Sequence, residues 1–351
     1  MKTNRFKNSV FNGLSNVIVN LSSTLLAFIV RTIFIKTLGK ELLGLDGLFT
    51  NILSLLSLAE LGFSTAISFS LYEPLAKKNY QKVNQIVIYL KKIYRFIALT
   101  ILLVGLTLIP FLPFIVKNYT VDSSIFIIYI LYLANTSFSY LLSYSSVLIE
   151  ADQKNYQLTH LRLGFDFFTY ALQGIALLVY KNFILYLILQ FIIRFIQRIA
   201  TNNYIKKRYP NIDFKTNLTM NEKDKTEIKT NIKGIIFHRI GDYAVNGTDN
   251  ILISSIIGIG ITGIYSNYLA ITSIFKNLMS TVLSATTSSL GNLNVTEDEK
   301  ITHNVFNLLN FLSLFLAGIL VVGVFCCIND FITIWAGESY VLNTICTIFI
   351  C

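Results

Sequence analysis

Charged side chains are scarce in this chain of 351 residues: Asp, Glu, Lys and Arg make up 14% of it, against about 25% in ordinary soluble domains. Hydrophobic residues make up 54%, and the mean hydropathy is +0.61. The chain therefore holds more apolar surface than a soluble core can bury, which argues against a soluble enzyme. The charges lie in short islands between long uncharged runs, a pattern typical of a protein that crosses a membrane many times.

Cysteine and catalytic motifs are scarce as well. The four cysteines lie in the last apolar stretches, with no CxxC pair and no histidine at ligand spacing, so we expect neither a disulfide framework nor a metal site. The phosphate-binding loop GxxxxGK(S/T) and the catalytic motifs HExxH and GxSxG do not occur. We therefore predict that the chain is not an enzyme and needs no cofactor.

Apolar windows of membrane length divide the chain into two halves. The first half has six predicted spans, near residues 10–36, 42–72, 93–116, 122–149, 157–180 and 182–204. The second has spans near 235–258, 260–290 and 304–328, and then an apolar segment from Phe331 to the terminus. From Val341 only eleven residues remain, about 16 Å of helix, which is too short to cross the bilayer. The prediction is a six-span N-terminal lobe (1–205), a cytoplasmic basic linker (206–233) and an incomplete C-terminal lobe of about four spans (234–351).

The distribution of lysine and arginine predicts the orientation of these spans. If the N-terminus is cytoplasmic, 23 of the 29 basic residues lie in cytoplasmic loops or their flanks, five lie on the opposite face, and Lys276 lies within a span. Cytoplasmic loops of membrane proteins carry the excess of positive charge. The sequence therefore predicts a multi-pass protein of the cell membrane, and topology rather than nucleic-acid binding explains the net charge of +10.

A short repeat links the two halves. The segment from Leu38 to Leu45 has glycines at its second and seventh positions, and the segment from Ile257 to Ile264 repeats that pattern 219 residues later. Both segments lie at turns between spans, an even number of spans apart, so the two halves enter the membrane in the same direction. The predicted fold is all-α and polytopic, with two parallel helical bundles, six spans and an incomplete second bundle, around a central cavity.

Polar side chains recur at helical spacing within several spans. A charge in hydrocarbon costs about 2.5–3.5 kcal/mol, so such side chains usually face a bundle interior or a wet cavity. The candidates on the first, second, seventh and eighth spans are Arg31; Asp46 and Glu60; Arg239, Asp242, Asn246, Asp249 and Asn250; and Lys276. Further stripes lie on the fifth span (Arg162, Asp166, Tyr170, Gln173) and on the sixth (Gln190, Arg194, Gln197).

Two of these candidates have simple structural alternatives. Arg31 lies close to Lys36 and could extend outward to the lipid headgroups. Arg239 and Asp242 could form an intrahelical ion pair near the membrane boundary. For Asp249, Glu60 and Lys276, which lie deeper and have no partner nearby in sequence, we favour a position in a cavity.

The second loop contains a basic amphipathic segment. Val83, Ile86, Val87 and Leu90 recur at helical spacing beside three lysines. We expect a helix at the membrane surface, which either binds anionic headgroups or anchors the loop on the cytoplasmic side.

Two sequence blocks carry a family likeness. The first has RTIFIKTLG at 31–39, LGL at 43–45, NILSLLSLAELG at 51–62 and LYEPL at 71–75; the second has TDNILIS at 248–254 and GIYSNY at 263–268. These blocks resemble Wzx-type polysaccharide flippases of the multidrug/oligosaccharidyl-lipid/polysaccharide (MOP, MATE-like) exporter superfamily. The rest of the chain, to about Tyr340, is similar in its pattern of spans only.

The resemblance implies a transporter that moves an undecaprenyl-pyrophosphate-linked oligosaccharide across the cytoplasmic membrane for cell-surface polysaccharide synthesis, by alternating access and with ion coupling. Its expected partners are that lipid-linked oligosaccharide, membrane lipids and polysaccharide synthesis enzymes, with no nucleic acid. The cations Arg31, Arg239 and Lys276 would then bind the pyrophosphate, Glu60, Asp242 and Asp249 would couple the ion, and Asp46, Asn246 and Asn250 would line the cavity. Because the chain stops in its tenth predicted span, we expect it to be truncated at the C-terminus relative to that family.

Two alternatives stay open. A drug or metabolite exporter of the same fold would have a cavity rich in aromatic and acidic side chains with few cations. A multi-span polysaccharide polymerase or ligase would have a large polar loop outside the membrane. The longest polar loop here, 206–233, is rich in lysine and is predicted to be cytoplasmic, which disfavours the enzyme.

Overall fold

A computed structural model describes most of the chain as a set of long helices. The described residues are 2–57, 63–119, 123–152, 154–213, 220, 222, 225–226, 228, 230, 240–241, 243–244, 247–296 and 299–350. Side chains are described for these residues except 2–17, 63–66, 278 and those between 281 and 301. Every regular element in this part of the chain is a helix, so the predicted all-α class is confirmed.

The helices form a first group of eight and a second group of four in the described chain. The first group is α1 (Lys2–Leu56), α2 (Phe63–Ala76), α3 (Tyr80–Thr107), α4 (Leu112–Ile115), α5 (Ser123–Ser143), α6 (Ser146–Ala151), α7 (Tyr156–Tyr180) and α8 (Phe183–Arg208). The second group is α9 (Asp249–Ile256), α10 (Ile259–Thr296), α11 (Glu299–Ala336) and α12 (Thr344–Ile350). Helix α1 packs most extensively against α7 of the first group and α10 of the second, so it joins the two groups.

Six helical segments of the described chain are long and apolar enough to cross a membrane. One of them, Ile18–Leu56, has 39 residues, about 58 Å of helix and roughly twice the ~30 Å thickness of the hydrocarbon layer. Helix α1 bends at Gly39, where φ is +81°, a conformation that glycine adopts without strain. It therefore consists of two arms, residues 2–38 and 40–56, which correspond to the first predicted span and the start of the second.

Several helix bounds differ from the predicted span bounds. The second predicted span runs to residue 72, whereas α1 is described to Leu56 and α2 from Phe63. The third was expected to begin at 93, but α3 begins at Tyr80, because the Asn79 side chain caps it by accepting a hydrogen bond from the Lys82 backbone N–H at 3.1 Å.

The end of the last long helix is also misplaced in the prediction. Helix α11 runs to Ala336, so the apolar segment from Phe331 continues that helix and does not begin a new span. The prediction ended the ninth span at 328 because Asn329 and Asp330 interrupt the apolar run. Asn329 is accommodated there because its side-chain oxygen accepts a hydrogen bond from the Tyr268 hydroxyl at 2.7 Å.

Buried apolar side chains form two clusters. The larger lies between α1, α3, α5, α10 and α11, and its centre includes Phe49 and Tyr129, whose rings pack edge to face at 5.3 Å. The second lies between α2, the beginning of α3 and α6. It also contains Ile212, Met220 and Ile228 from the region beyond α8. Parts of the predicted linker therefore pack against the first lobe.

The second cluster also changes the interpretation of the basic amphipathic segment. Val83, Ile86, Val87 and Leu90 are fully buried in it, at the beginning of α3. Their periodicity predicts the helix correctly, but the apolar face of this helix packs against protein and does not lie in the membrane surface. Periodicity identifies a buried face and does not identify what covers it.

The repeated glycine segments lie against each other. Gly39 and Gly258 both have positive φ, +81° and +141°, at the two equivalent turns. Gly44 and Gly263 meet backbone to backbone: a Cβ atom on Gly44 would lie 3.1 Å from the Gly263 nitrogen, and one on Gly263 would lie 3.0 Å from the Gly44 nitrogen. The repeat therefore marks a place where the backbones of the two lobes are in direct contact.

Candidate functional site

A polar cavity of about 370 Å³ lies between α1, α7, α8 and α10, where the two lobes meet. Each of these helices contributes polar side chains because its polar stripe faces inward. The polar lining residues are Thr24, Arg31, Asp46, Thr169, Tyr170, Gln173, Tyr186, Gln190, Arg194, Ser273 and Asn277. The cavity combines two arginines with several neutral hydrogen-bonding groups, which is a suitable lining for an anionic ligand that also carries hydroxyl groups.

Arg31 connects the two lobes at this cavity. Its Nε donates to Asn267 Oδ1 at 3.0 Å, and its Nη2 donates to Ser266 Oγ at 3.0 Å, both on α10. On its own lobe the guanidinium interacts electrostatically with Asp46, which accepts a hydrogen bond from the Tyr132 hydroxyl. The Asn267 Nδ2 atom is buried and has no hydrogen-bond partner among the described residues. Arg31 therefore lines the cavity and does not extend to the headgroups.

An ion pair lies on the α7–α8 side. Arg194 Nη1 donates to Asp166 Oδ1 at 2.7 Å, and Ser23 of α1 donates to Asp166 Oδ2 at 2.9 Å. Asp166 is buried, while the Arg194 side chain is 31% exposed, toward the cavity. The same Nη1 also donates to Gln197 at 3.0 Å. Asp166 therefore holds Arg194 in a fixed position at the cavity wall.

The lobes are tied together at the end that carries the Gly39 and Gly258 turns. The Trp335 ring stacks on Phe28 at 4.5 Å, and its Nε1 donates to Thr32 Oγ1 at 2.7 Å. Beyond α4, Lys117 Nζ donates to the Ile256 carbonyl at 2.7 Å and Asn118 Nδ2 to the Ile257 carbonyl at 2.9 Å. These contacts close the lobe interface at that end.

Of the five predicted site residues that the structure describes, two line the cavity, Arg31 and Asp46. Lys276 is exposed on α10 and does not line it, because Lys276 lies about 100° of helix rotation away from the lining residue Asn277. Asp249 accepts a hydrogen bond from the Tyr265 hydroxyl at 2.5 Å, and Asn250 is buried against the Gly47 carbonyl. The other four lie outside the described residues: Glu60, Arg239, Asp242 and Asn246.

Most of the remaining polar lining comes from α7 and α8. The polar stripes on the fifth and sixth predicted spans indicate these two helices, but none of the nine predicted site residues lies on them. Tyr186 gave no such signal, because a tyrosine near a span end is typical of the interfacial belt. Among the described residues no group of three His, Cys, Asp or Glu could hold a metal ion.

An apolar cavity of about 460 Å³ adjoins the polar one. It lies between α1, α10 and α11, and its walls are almost entirely carbon, with Gly323 and Val324 of α11 facing Ile271 and Phe275 of α10. Phe28 and Ile274 belong to the walls of both cavities. The polar and the apolar cavity therefore share part of their walls.

Comparison with known proteins identifies the family. The family described as "Polysaccharide biosynthesis protein" matches residues 9–287. No curated protein sequence matches the chain. A solved structure titled "Inward-facing conformation of a multidrug resistance MATE family transporter of the MOP superfamily" superposes with a TM-score of 0.71 at 11% identity, over 96% of this chain and 78% of that one. The chain therefore belongs to the polysaccharide biosynthesis protein family and is a multi-pass membrane protein with the fold of a MOP-superfamily transporter.

Proposed function

We propose that this protein translocates a lipid-linked oligosaccharide, joined to its lipid by a pyrophosphate, across the cytoplasmic membrane for cell-surface polysaccharide synthesis. The observation that carries the proposal is the pair of adjoining cavities, one polar and cationic and the other apolar, which share Phe28 and Ile274. Such a pair suits an amphiphile with an anionic, hydroxyl-rich head and a long hydrocarbon chain.

The polar cavity supports an anionic head. Arg31 and Arg194 present guanidinium groups that bind phosphate through paired hydrogen bonds. Gln173, Gln190 and Asn277 offer the amide donors and acceptors that sugar hydroxyls need. A drug exporter with a cavity of acids and aromatics would lack the two cations, so this lining favours the polysaccharide precursor.

The apolar cavity supports a lipid chain. A soluble or wholly polar cargo would leave it without a role, whereas a polyprenyl chain gains roughly 0.8 kcal/mol for each CH₂ that it buries. Gly323 provides a direct test because it lines the cavity and a Cβ atom there would meet nothing within 4 Å. A large side chain at this position should fill the cavity without displacing the backbone.

The experiment compares Gly323→Phe with Gly318→Phe in proteoliposomes that hold a fluorescent lipid-diphosphate oligosaccharide. Gly318 lies five residues earlier on α11, its Cβ position is equally open, and it does not line the cavity. We expect Gly323→Phe to lower the rate of translocation at least tenfold, as loss of one to two buried CH₂ groups already weakens binding by that factor. Gly318→Phe should retain the rate. Equal rates in both variants, or transport of a cationic dye in place of the lipid, would contradict the proposal.

The orientation with a cytoplasmic N-terminus is part of the proposal, and reporter fusions test it. In that orientation the Lys181 turn, where φ is +47°, lies outside, and the lysine-rich linker lies in the cytoplasm. We expect alkaline phosphatase to be active when fused after residue 181 and inactive after residue 221, and green fluorescent protein to show the reverse. A fusion after Lys154, on the same predicted side as 221, is the matched control. Phosphatase activity at 221 would reverse the topology and revive the enzyme alternative.

Ion coupling is also part of the proposal, and Asp46 is the carboxylate that the structure supports for it. It lines the cavity and interacts with Arg31, so a proton or cation at Asp46 would weaken its hold on the guanidinium. The ion and the cargo would then favour different arrangements of Arg31, as a coupled cycle requires. Asp249 is engaged by Tyr265 outside the cavity, so it is the weaker candidate.

A further inference from the structure

The polar stripes of α7 and α8 continue past the central cavity. The two helices form an antiparallel hairpin: they are joined by the short turn at Lys181, and at the opposite end Tyr204 donates to Gln157 Oε1 at 3.1 Å. Tyr170 of α7 and Arg194 of α8 belong to the cavity wall. Toward the Gln157 end, each stripe carries one more arginine.

These two arginines come together because the helices are antiparallel. Arg162 precedes Asp166 by one helical turn on α7, and Arg198 follows Arg194 by one turn on α8, so both lie one turn closer to the same end. The Arg198 guanidinium interacts electrostatically with both Arg162 and Arg194. Arg162 is exposed and Arg198 is half-buried, so a ligand can reach the pair.

Among the described residues, no carboxylate pairs with Arg162 or Arg198. Asp166 is already engaged by Arg194 and Ser23, and within the described part of the chain neither Arg162 nor Arg198 takes part in an ion pair. Arg198 lies instead near the Tyr94 and Tyr140 rings, which are 6.2 Å apart. Two like charges held together repel each other, and a bound anion would offset that repulsion.

Neutral donors and an apolar flank accompany the two charges. A narrow cleft beside Arg198 is lined by Asn135 and Ser139 of α5, whose amide and hydroxyl can bond phosphate oxygens. Phe138, Phe191 and Phe195 stand around the same cleft with ring centroids 5.7–6.2 Å apart, and Phe138 and Phe195 are exposed. An anion that binds here therefore has an apolar surface beside it.

We propose that Arg162 and Arg198, with Asn135 and Ser139, form a binding site for the diphosphate of a membrane lipid, one helical turn from the central cavity. Two guanidinium forks match two adjacent phosphates, and the aromatic flank suits the attached chain. The proposal rests on the proposed function, in which this site receives the cargo before Arg194 and Arg31 do. One turn is about 6 Å, so a diphosphate can bind the next arginine before leaving the last.

Titration calorimetry on the full chain in phosphatidylcholine nanodiscs, with farnesyl diphosphate as the probe, tests the site. We expect Arg162→Gln and Arg198→Gln each to weaken binding about tenfold, the usual effect of one lost charge-assisted hydrogen bond. Arg198→Lys keeps the charge without the fork and should lose less. Arg95→Gln, which removes an exposed arginine of α3 that lies off both stripes, is the control and should bind like the parent protein.

The competing results are distinct. Equal affinity in all variants would overturn the site, as would inorganic pyrophosphate binding as tightly as the farnesyl probe. If phosphatidylglycerol in the nanodisc displaces the probe, the ligand is the phosphate of a bulk lipid headgroup, and the assignment to a diphosphate fails. A thermal denaturation scan shows whether each variant is folded, and Arg198→Lys provides the folded comparison. If binding depends on both arginines but proteoliposomes show no translocation, the site stands and the transport proposal falls.

Discussion

Replacing Arg31 by glutamine should lower the translocation of a lipid-linked oligosaccharide at least 100-fold, because two charge-assisted hydrogen bonds are lost at about 1.5–3 kcal/mol each, together about 3–6 kcal/mol. Arg31 is the one described side chain that lines the cavity from the first lobe and donates two hydrogen bonds to the second. The substitution removes a cation from the cavity and frees Ser266 and Asn267. The leaflet assay in proteoliposomes measures the rate of translocation. Arg31→Lys should give an intermediate rate, because lysine keeps the positive charge but cannot form the paired hydrogen bonds of a guanidinium group.

Lys276→Gln is the control for charge. It removes a cation from α10, close in sequence to the lining residues Ser273 and Asn277, yet its side chain does not line the cavity. We expect its rate to stay within about twofold of the parent protein, the small effect usual for an exposed charge. If Lys276→Gln and Arg31→Gln reduced transport equally, general attraction of the anion would explain the result, and the specific role of Arg31 would be lost.

Asp46→Asn should retain transport down a cargo gradient but no longer respond to an imposed ion gradient.

The sequence predicts the fold well where a physical constraint acts over a long stretch of chain. Membrane thickness sets the length of an apolar run, so α7 and α8 agree closely with the predicted spans at 157–180 and 182–204. The predicted boundaries differ from those of the structure where the contacts of one residue set the end of a helix. A single side chain caps α3 at Asn79, and hydrogen bonds from the Tyr268 and Thr347 hydroxyls accommodate Asn329 inside α11. None of these contacts recurs along the chain at a helical spacing, so no sequence pattern reveals them.

The site was harder to predict than the fold, and the reason is geometric. Helical periodicity shows which residues share a face, and it identified both Arg31 and the Arg194 stripe. It does not show which faces meet, because that depends on how helices from distant parts of the chain pack. Lys276 illustrates this point: it is a charge within a predicted span, as Arg31 is, but it lies off the face of α10 that borders the cavity.

Replacing Gly263 by alanine should destabilise the protein far more than a methyl group added at a glycine with open surroundings. A Cβ atom at Gly263 would overlap the Lys40 carbonyl oxygen and lie 3.0 Å from the Gly44 nitrogen, so backbone and not a flexible side chain blocks it. Inserting a carbon into a packed interface costs typically 1–3 kcal/mol, and backbone contact places this case near about 3 kcal/mol. We expect the melting temperature in detergent to fall by about 5–10 °C.

The reciprocal change, Gly44→Ala, tests whether the cost belongs to the lobe contact. Its Cβ would meet the Ile259 carbonyl oxygen from the opposite side of the same junction, so it should destabilise the protein to a similar extent. Because each methyl alone already forces the two segments apart, the double variant should lose less than the sum of the single losses. Gly164→Ala on α7 adds the same methyl where nothing lies within 4 Å, and it should leave the melting temperature unchanged or raise it slightly. If Gly263→Ala and Gly164→Ala had the same melting temperature, the close contact between the repeated segments at Gly44 and Gly263 would be refuted.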